Sequence, residues 1–327
     1  MLILSQQRRD EVMSFRSRTG AGVPLLMAAS LLSACSPYLY KKEIVGFQTG
    51  LSTLSTAYDE GHRRLTEEQH AARRWDWLSR EATLVPSAGC YFPPSTGGCG
   101  LQEVGRAVVP SNADREIARA AGQIRGLERY AEGLAAVTNA EDRAALDAAA
   151  GSLKSAIADL AAAGGLPAPP VEILTQAFAA YLDQRRYTVL RTRVLEADGL
   201  VSATARALES DLNLLAAARA VELRASAALL AGTTGQTPSE PARARTLERM
   251  GVNYPARVAA AQADTATLES LRRADPGKAA RDLSGAHAAL AKALRDPSRQ
   301  TGAVLDAVET FVDSARALRG TTAAPAA

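Results

Sequence analysis

Apolar residues recur along most of the chain at the spacing of an amphipathic helix. In the first such segment they follow alternating steps of three and four residues, which places them on one helical stripe. The members of this stripe are Ile44, Phe47, Leu51, Leu54, Tyr58 and Leu65. The pattern predicts a helix over 41–84, roughly 65 Å long at 1.5 Å per residue. Patterns typical of strands are almost absent from the rest of the chain.

Capping signals divide the following region into further helices. Ser111 is suited to cap a helix that runs to about residue 137. The sequence Thr138-Asn139-Ala140-Glu141 fits a capping box and predicts a second helix that ends before Gly164-Gly165. The longest helical segment covers 171–231, and Gly199 near its middle is expected to mark a bend.

Two Asp-Pro pairs predict the last helices. Asp275-Pro276 and Asp296-Pro297 each read as an N-cap followed by proline at the first helical position, which gives helices near 276–295 and 297–319. Helices of 45–60 residues are not stable singly in water and must pair along their length. We therefore predict an all-α fold over 35–320, an elongated antiparallel helical bundle with long coiled-coil-like helices, followed by a disordered tail at 321–327.

The N-terminal region has the organisation of a secretory signal peptide. Arg16 and Arg18 precede an apolar run at 23–32, which is too short to span a bilayer. The run ends in Leu32-Ser33-Ala34-Cys35, which resembles the lipobox of bacterial lipoproteins. Met13 is an alternative start to Met1, and an ordinary signal peptide with an incidental cysteine is the alternative to a lipobox.

The lipoprotein resemblance has direct implications for processing and location. It implies that 1–34 is removed as the signal peptide and that Cys35 is acylated, so that the chain is anchored to a membrane on its periplasmic face. Ser36 follows the cysteine, which implies the outer membrane rather than the inner one. Two or three acyl chains are needed for stable attachment, because one chain alone binds only marginally.

Net charge and cysteine content add to this picture. The chain carries a net charge of +3, and its first 34 residues contain four arginines and two acidic residues, so the remainder is nearly neutral. Such a balance argues against a nucleic-acid partner. Cys90 and Cys99 form an even pair in an oxidising compartment, and we predict a disulfide between them within the loop 85–110. Closing this loop would contribute roughly 2.5–3 kcal/mol, and the spacing does not fit a zinc site.

Histidines offer the best candidates for metal chemistry. Glu67 and His70 form a Glu-x-x-His motif, with Asp59 and His62 one to two turns earlier, as in half of a di-iron bundle site. The second half is missing, because Ser284 stands where His287 would need a glutamate. We therefore interpret these residues as a solvated helix face and predict no metal and no cofactor.

Aromatic residues near the loop are candidates for partner contacts. Trp75 and Trp77 point about 200° apart on a helix, so one is expected to be buried and the other to face the loop or a partner. Tyr91 and Phe92 in the loop either cap the bundle or touch another protein. No motif for a nucleophile elbow, a phosphate loop or a dinucleotide fold is present, which argues against an enzyme.

These observations predict a membrane-anchored periplasmic lipoprotein that acts as a non-enzymatic scaffold or accessory subunit of a cell-envelope complex. The expected partners are the membrane, through the lipid, and a protein of the envelope. The alternative is a periplasmic helical-bundle protein that binds a small ligand or a metal between its helices.

Overall fold

The computed structural model describes residues 40–87, 90, 100–105, 112–167, 182–231, 251, 254–296 and 302–322. All of them belong to the unit Ser36–Ala327. The signal peptide predicted for 1–34, the predicted lipidation site Cys35 and much of the predicted disulfide loop lie outside the described residues.

The described residues form an all-α helical bundle, which confirms the predicted fold class. Their elements, numbered in chain order, are seven helices and one short antiparallel sheet of two strands. They are α1 (Lys41–Arg80), β1 (Leu84–Pro86), β2 (Leu101–Glu103), α2 (Asn112–Asn139), α3 (Arg143–Gly164), α4 (Leu182–Ala231), α5 (Tyr254–Arg273), α6 (Lys278–Arg295) and α7 (Gly302–Thr322).

Helix α4 is central to the bundle, because it packs against α1, α2, α3, α5 and α6. Its 50 residues extend over about 75 Å. Helices α5 and α6 follow one another along α4 in the opposite direction, so that together they cover most of its length. The helical path breaks between them at 274–277, where Pro276 lacks the N–H that a continuous helix would need.

Contacts between distant residues give the helix directions. On α1 and α4, a Cβ built on Gly61 would lie 3.1 Å from Leu215, and Glu68 pairs with Arg219 further along both helices, so these two helices run parallel. Helices α3 and α7 share this direction, whereas α2, α5 and α6 run antiparallel to it.

The core is one continuous apolar cluster that all the long helices share. The whole predicted stripe of α1 is buried, with every member at most 2% exposed. Each buried Leu, Ile or Phe side chain stabilises the fold by about 1.5–3 kcal/mol relative to an exposed one. The helical spacing of the sequence therefore identified the core face of α1 correctly.

Glycines allow two pairs of helices to approach closely. Where α1 crosses α7, a Cβ built on Gly50 would lie 2.4 Å from the ring of Phe311. Where α2 crosses α3, a Cβ on Gly133 would lie 3.0 Å from the backbone Cα of Leu153. A side chain at either position would force the helices apart, because close-packed interiors have no room for an added methyl group.

The capping-box prediction was wrong. Helix α3 is capped by Asp142, whose carboxylate accepts a hydrogen bond from Ala145 N–H at 2.7 Å. The Thr138 hydroxyl instead donates to the carbonyl of Ala135 within α2. Aspartate is as good an N-cap as threonine, and because the cap lies at Asp142, α2 can continue to Asn139. The end of α3 was predicted well, since Gly165 closes it in the left-handed conformation.

Other boundaries also differ from the predictions. Helix α1 ends at Arg80, and the two strands follow in a region predicted to be loop. Helix α6 begins at Lys278 rather than 276, because the Asp275 carboxylate pairs with Arg281 and does not cap the helix. Helix α4 runs through Gly199 without interruption. Helix α5 was not predicted at all.

The C-terminal prediction is tested only in part. Helix α7 continues to Thr322, whose side chain is buried, so the first two residues of the predicted disordered tail are helical. The remaining tail, 323–327, and the predicted start of this helix at 297–301 lie outside the described residues.

Candidate functional site

One end of the bundle is closed by side chains that cap α6, and we call it the Tyr40 end. The Tyr40 hydroxyl donates to the carbonyl of Ala293 at 3.4 Å. The Tyr187 hydroxyl and Arg191 Nε both donate to the carbonyl of Leu294, at 3.3 and 3.0 Å. The last carbonyls of a helix have no partner within the helix, so these contacts satisfy them and hold α1 and α4 against α6.

The other end carries the two-stranded sheet, and we call it the hairpin end. Arg80, in the last turn of α1, binds Glu103 of β2 through two N–H···O bonds of 2.7 and 3.0 Å. The same guanidinium contacts Asp76 one turn earlier. Val104 N–H also donates to the carbonyl of Thr83. The bidentate geometry fixes the sheet firmly on the end of α1.

The two tryptophans lie in the last turns of α1, near this sheet. Both are half-buried, which corrects the expectation that one would be buried in the core. The guanidinium carbon of Arg74 lies 5.2 Å from the ring centroid of Trp75, a cation–π contact at the surface. Trp77 is half-buried to a similar degree. Tyr91 and Phe92 lie outside the described residues.

Exposed apolar side chains concentrate toward the hairpin end. Among the described residues, seven large apolar side chains are exposed, and five of them belong to the sheet region or to the neighbouring parts of α4 and α5. These five are Val85, Leu101, Val104, Val221 and Tyr254. Leu101, Val104 and Val221 are each 57% exposed. Several exposed apolar side chains in one part of a molecule are an unusual feature that can mark a site for binding another protein.

The predicted disulfide is described on one side only. Cys90 is disulfide-bonded, and its N–H donates to the carbonyl of Ser87 at 2.9 Å. Ser87 and Gly100 are joined by two hydrogen bonds of 2.7 and 3.1 Å, which bring the two ends of the loop together. Cys99 lies outside the described residues, so the Cys90–Cys99 pairing remains a prediction.

The histidines of α1 do not form a site with other ligands. His62 and His70 are exposed, and Glu67 forms an ion pair with Arg64 at 3.0 Å. Within the described ranges, no group of three or more His, Cys, Asp or Glu residues is arranged to hold a metal ion.

The third histidine belongs to a buried polar network that crosses three helices. His287 of α6 is 1% exposed, and its Nε2 lies 2.9 Å from the hydroxyl of Tyr130 on α2. Its Nδ1 lies 3.3 Å from Asp198 of α4, which also pairs with Arg295 at 2.9 Å. The rings of Phe47 and Tyr130 pack against the imidazole, at centroid distances of 6.1 and 5.7 Å.

The electrostatics of this network assign its protons. The hydrogen bond from His287, followed by the contact with Arg295, lowers the pKa of Asp198, so this carboxylate is an acceptor. His287 Nδ1 therefore donates to Asp198, and its Nε2 forms the hydrogen bond with the Tyr130 hydroxyl. Burial raises the pKa of Tyr130, which keeps the hydroxyl protonated. Because Tyr130 and His287 are fully enclosed, a substrate cannot reach them, and the network positions helices.

The sequence did contain a signal for this burial. Leu283, Ala286, Leu290 and Leu294 define the buried stripe of α6, and His287 falls on the same stripe. The partners Tyr130 and Asp198 could not be paired with it from sequence, because they stand 157 and 89 residues away.

A second buried pair links α1 with α4. Arg219 is 3% exposed and binds Glu68 with three hydrogen bonds of 2.7–3.1 Å. Burial raises the pKa of Glu68, and the hydrogen bonds from Arg219 oppose this shift in part. Such a pair is strongly destabilising to break, because the remaining partner is left buried and charged.

A cleft of about 910 Å³ lies where α5 and α6 meet, opposite the second half of α7. Lys278 Nζ donates to Ser314 Oγ at 2.8 Å and pairs with Asp282, and the Ser314 hydroxyl also donates to Asp282. The Lys278 and Ser314 side chains both contact the Asp282 carboxylate, so the three residues form one polar network between α6 and α7. The walls are partly apolar, formed by Ala266, Ala274, Ala317 and Leu318.

Comparison of the chain with protein-family models, with curated proteins and with solved structures gave no match. Among the helices of the described residues, none has a stretch long and apolar enough to cross a bilayer.

Proposed function

We propose that this chain is a bacterial lipoprotein, anchored on the periplasmic face of a membrane through Cys35, in the outer membrane in preference to the inner one. In this proposal it is not an enzyme but a scaffold or accessory subunit of a cell-envelope complex. The support for the anchor is the signal-like region at 1–34 and its lipobox-like end.

The position of the anchor in the chain gives the bundle a direction. Four residues separate Cys35 from Tyr40, so a lipid on Cys35 would hold the Tyr40 end within about 20 Å of the membrane. Helix α1 then extends over about 60 Å to the hairpin end. In this orientation the Tyr40 end faces the membrane and the hairpin end is available to a partner.

The observation that carries the scaffold proposal is the concentration of exposed apolar side chains toward the hairpin end. A surface at the far end of a tethered bundle is placed to bind a protein in the periplasm. The half-buried tryptophans on α1 extend the same region. We expect the partner to contact Leu101 and Val104 of the sheet region.

The anchor is tested by replacing Cys35 with Ala and fractionating the cells. The expected result is a bundle that remains folded but leaves the membrane fraction. A Cys35→Ala chain that stays with the membrane, with the signal peptide shown to be removed, would contradict the proposed anchor.

The partner surface is tested by site-specific photo-crosslinking in the host. A photoreactive residue is placed at Leu101 in one variant and at Lys154, on the exposed face of α3, in the control. We expect a discrete crosslinked product from position 101 that is absent from position 154. Equal products from both positions, or none from position 101 in a folded chain, would refute the hairpin end as the binding surface.

The cleft between α5, α6 and α7 favours a second candidate function, the binding of a small ligand. Its volume of about 910 Å³ is in the range of small-molecule sites, and it combines apolar walls with charged groups. Native mass spectrometry of protein purified from its own host separates the two candidates. A stoichiometric co-purifying ligand that Ala317→Trp displaces would favour the second candidate over the first.

A further inference from the structure

Lysine is rare in this chain, and most of its lysines lie at one place. The chain contains five lysines, and three of them, Lys41, Lys42 and Lys292, lie in the first turn of α1 and the last turns of α6. The hydrogen bond from Tyr40 to Ala293 holds these two helix ends together. The three lysines therefore lie around the Tyr40 end.

The ammonium groups of these lysines are available to a partner. All three residues are exposed, and none of them is ion-paired within the described part of the chain. Arg295, in the same last turn of α6, is 56% exposed and shares Asp198 with His287. The acidic residues of these two helix ends are Glu43, which is buried, and Asp296, so the sector formed by α1 and α6 keeps a net positive charge.

At the same end, the start of α3 and the start of α4 are balanced or acidic. Arg185 is paired with Asp147, and Arg186 is paired with Asp183. The turn before α3 carries exposed acidic residues, among them Asp142 at the N-cap. The lysines at this end of the bundle thus all lie in the α1–α6 sector.

We propose that the α1–α6 sector of the Tyr40 end docks onto the anionic phospholipid headgroups of the membrane that holds the anchor. This inference rests on the proposed lipidation of Cys35. Lys41 follows Cys35 by six residues, so the chain allows at most about 22 Å between them, and a lysine side chain shortens the gap further. The lysines therefore reach the headgroup layer without any rearrangement of the bundle.

Electrostatics sets both the strength and the direction of this docking. A cationic side chain close to an anionic membrane surface gains enough free energy to shift an equilibrium about fivefold. Because the three lysines all belong to α1 and α6, this attraction tilts the bundle toward its α1–α6 sector. The attraction falls off over about 8–10 Å in physiological salt, so only groups at this end contribute.

The test is amine footprinting of the lipidated full chain on vesicles. The chain is floated with vesicles of phosphatidylglycerol and phosphatidylcholine, or of phosphatidylcholine alone, and each lysine is acylated and quantified by mass spectrometry. We expect labelling of Lys41, Lys42 and Lys292 to be slowed several-fold on the anionic vesicles. Lys154 and Lys278, which lie further from this end, serve as internal references and should be labelled equally on both.

Two variants make the result specific. In Lys41→Gln/Lys42→Gln, protection of Lys292 on anionic vesicles should be lost. The control, Arg206→Gln/Arg224→Gln, removes the same charge from exposed positions further along α4 and should leave the protection unchanged.

The outcomes separate this inference from the proposed function. A chain that floats with both kinds of vesicle but shows equal labelling of all five lysines overturns the docking surface and leaves the anchor standing. A chain that floats with neither overturns the proposed anchor itself. Protection that persists in the Lys41→Gln/Lys42→Gln variant also refutes the docking surface.

Discussion

The hydrogen bond between Tyr130 and His287 offers a test of the core in which a single atom is removed. Tyr130 Oη and His287 Nε2 lie 2.9 Å apart, and the two residues are 0 and 1% exposed. Tyr130→Phe removes the hydroxyl but keeps the ring that packs on the imidazole. His287 Nε2 is then a buried polar atom without a hydrogen-bond partner, which costs about 1–3 kcal/mol of unfolding free energy.

The reverse change should cost more. His287→Leu leaves the Tyr130 hydroxyl unpaired and removes the ring contacts with Phe47 and Tyr130, so we expect a loss of about 2–5 kcal/mol. The double variant removes both halves of the hydrogen bond and leaves no unpaired polar atom between them. It should therefore be at least as stable as His287→Leu alone, although it carries one more change.

The assay is urea unfolding followed by far-UV circular dichroism, with the free energy taken from the midpoint and an unchanged slope. Tyr254→Phe is the matched control, because Tyr254 is 59% exposed, and its effect should stay within about 0.5 kcal/mol. If Tyr130→Phe costs no more than Tyr254→Phe, or if the two core changes are simply additive, the reasoning is refuted.

Three further predictions use the same unfolding assay. Gly133→Ala should destabilise the bundle by about 1–3 kcal/mol, because the added Cβ would meet the backbone of α3. Gly199→Ala places its Cβ where no atom lies within 4 Å, so it should stabilise the bundle by about 0.5–1 kcal/mol. Equal effects of the two substitutions would contradict the close approach of α2 and α3. Arg219→Met should cost about 3–5 kcal/mol by leaving the Glu68 carboxylate, whose side chain is only 12% exposed, without its partner, and a loss below 1 kcal/mol would contradict this. Because the pKa of Asp198 is lowered in the folded chain, its contribution to the free energy of unfolding is present above pH 4, the ordinary pKa of an aspartate being about 4, and is lost as the pH falls further. Acid should therefore destabilise the wild type more than Asp198→Asn, and identical pH profiles of the two would refute this.

The sequence predicted those parts of the fold that depend on local periodicity. The stripe of α1 from Ile44 to Leu65 is buried as predicted, because a helix with one apolar face can remove that face from water only by packing it against a core. Helix α5 was missed because only three of its residues are buried, Arg257, Ala261 and Leu271, and one of these is charged. A helix that packs on a single neighbour needs few apolar positions and leaves a weak pattern.

Caps were less predictable, because several residues compete for the same role. Thr138 and Asp142 are both suitable N-caps, and local sequence does not decide which backbone turn closes first. Asp275 also has the expected type for a cap, but an arginine at the start of α6 binds its carboxylate. The choice depends on a side chain whose position is fixed only after the helix has formed.

The candidate sites show a similar division between local and long-range information. The lipobox-like sequence before Cys35 can be recognised because its chemistry requires adjacent residues. The concentration of exposed apolar groups toward the hairpin end depends on where α4 and α5 lie relative to the sheet. No local sequence pattern predicts that arrangement. The same holds for the lysines at the Tyr40 end, since Lys42 and Lys292 stand 250 residues apart and meet only in the folded bundle.

The buried polar residues of α4 explain why this long helix has one defined register. Because five helices surround α4, several of its polar residues are buried along with its apolar ones, among them Arg193, Asp211 and Arg219. A shift of α4 by one helical turn, about 5.4 Å, would still place leucine against leucine. The same shift would separate Arg219 from Glu68 and Asp198 from His287, and each separation leaves a buried group unpaired. The apolar stripe therefore determines that α4 packs, and the polar pairs determine the position at which it packs.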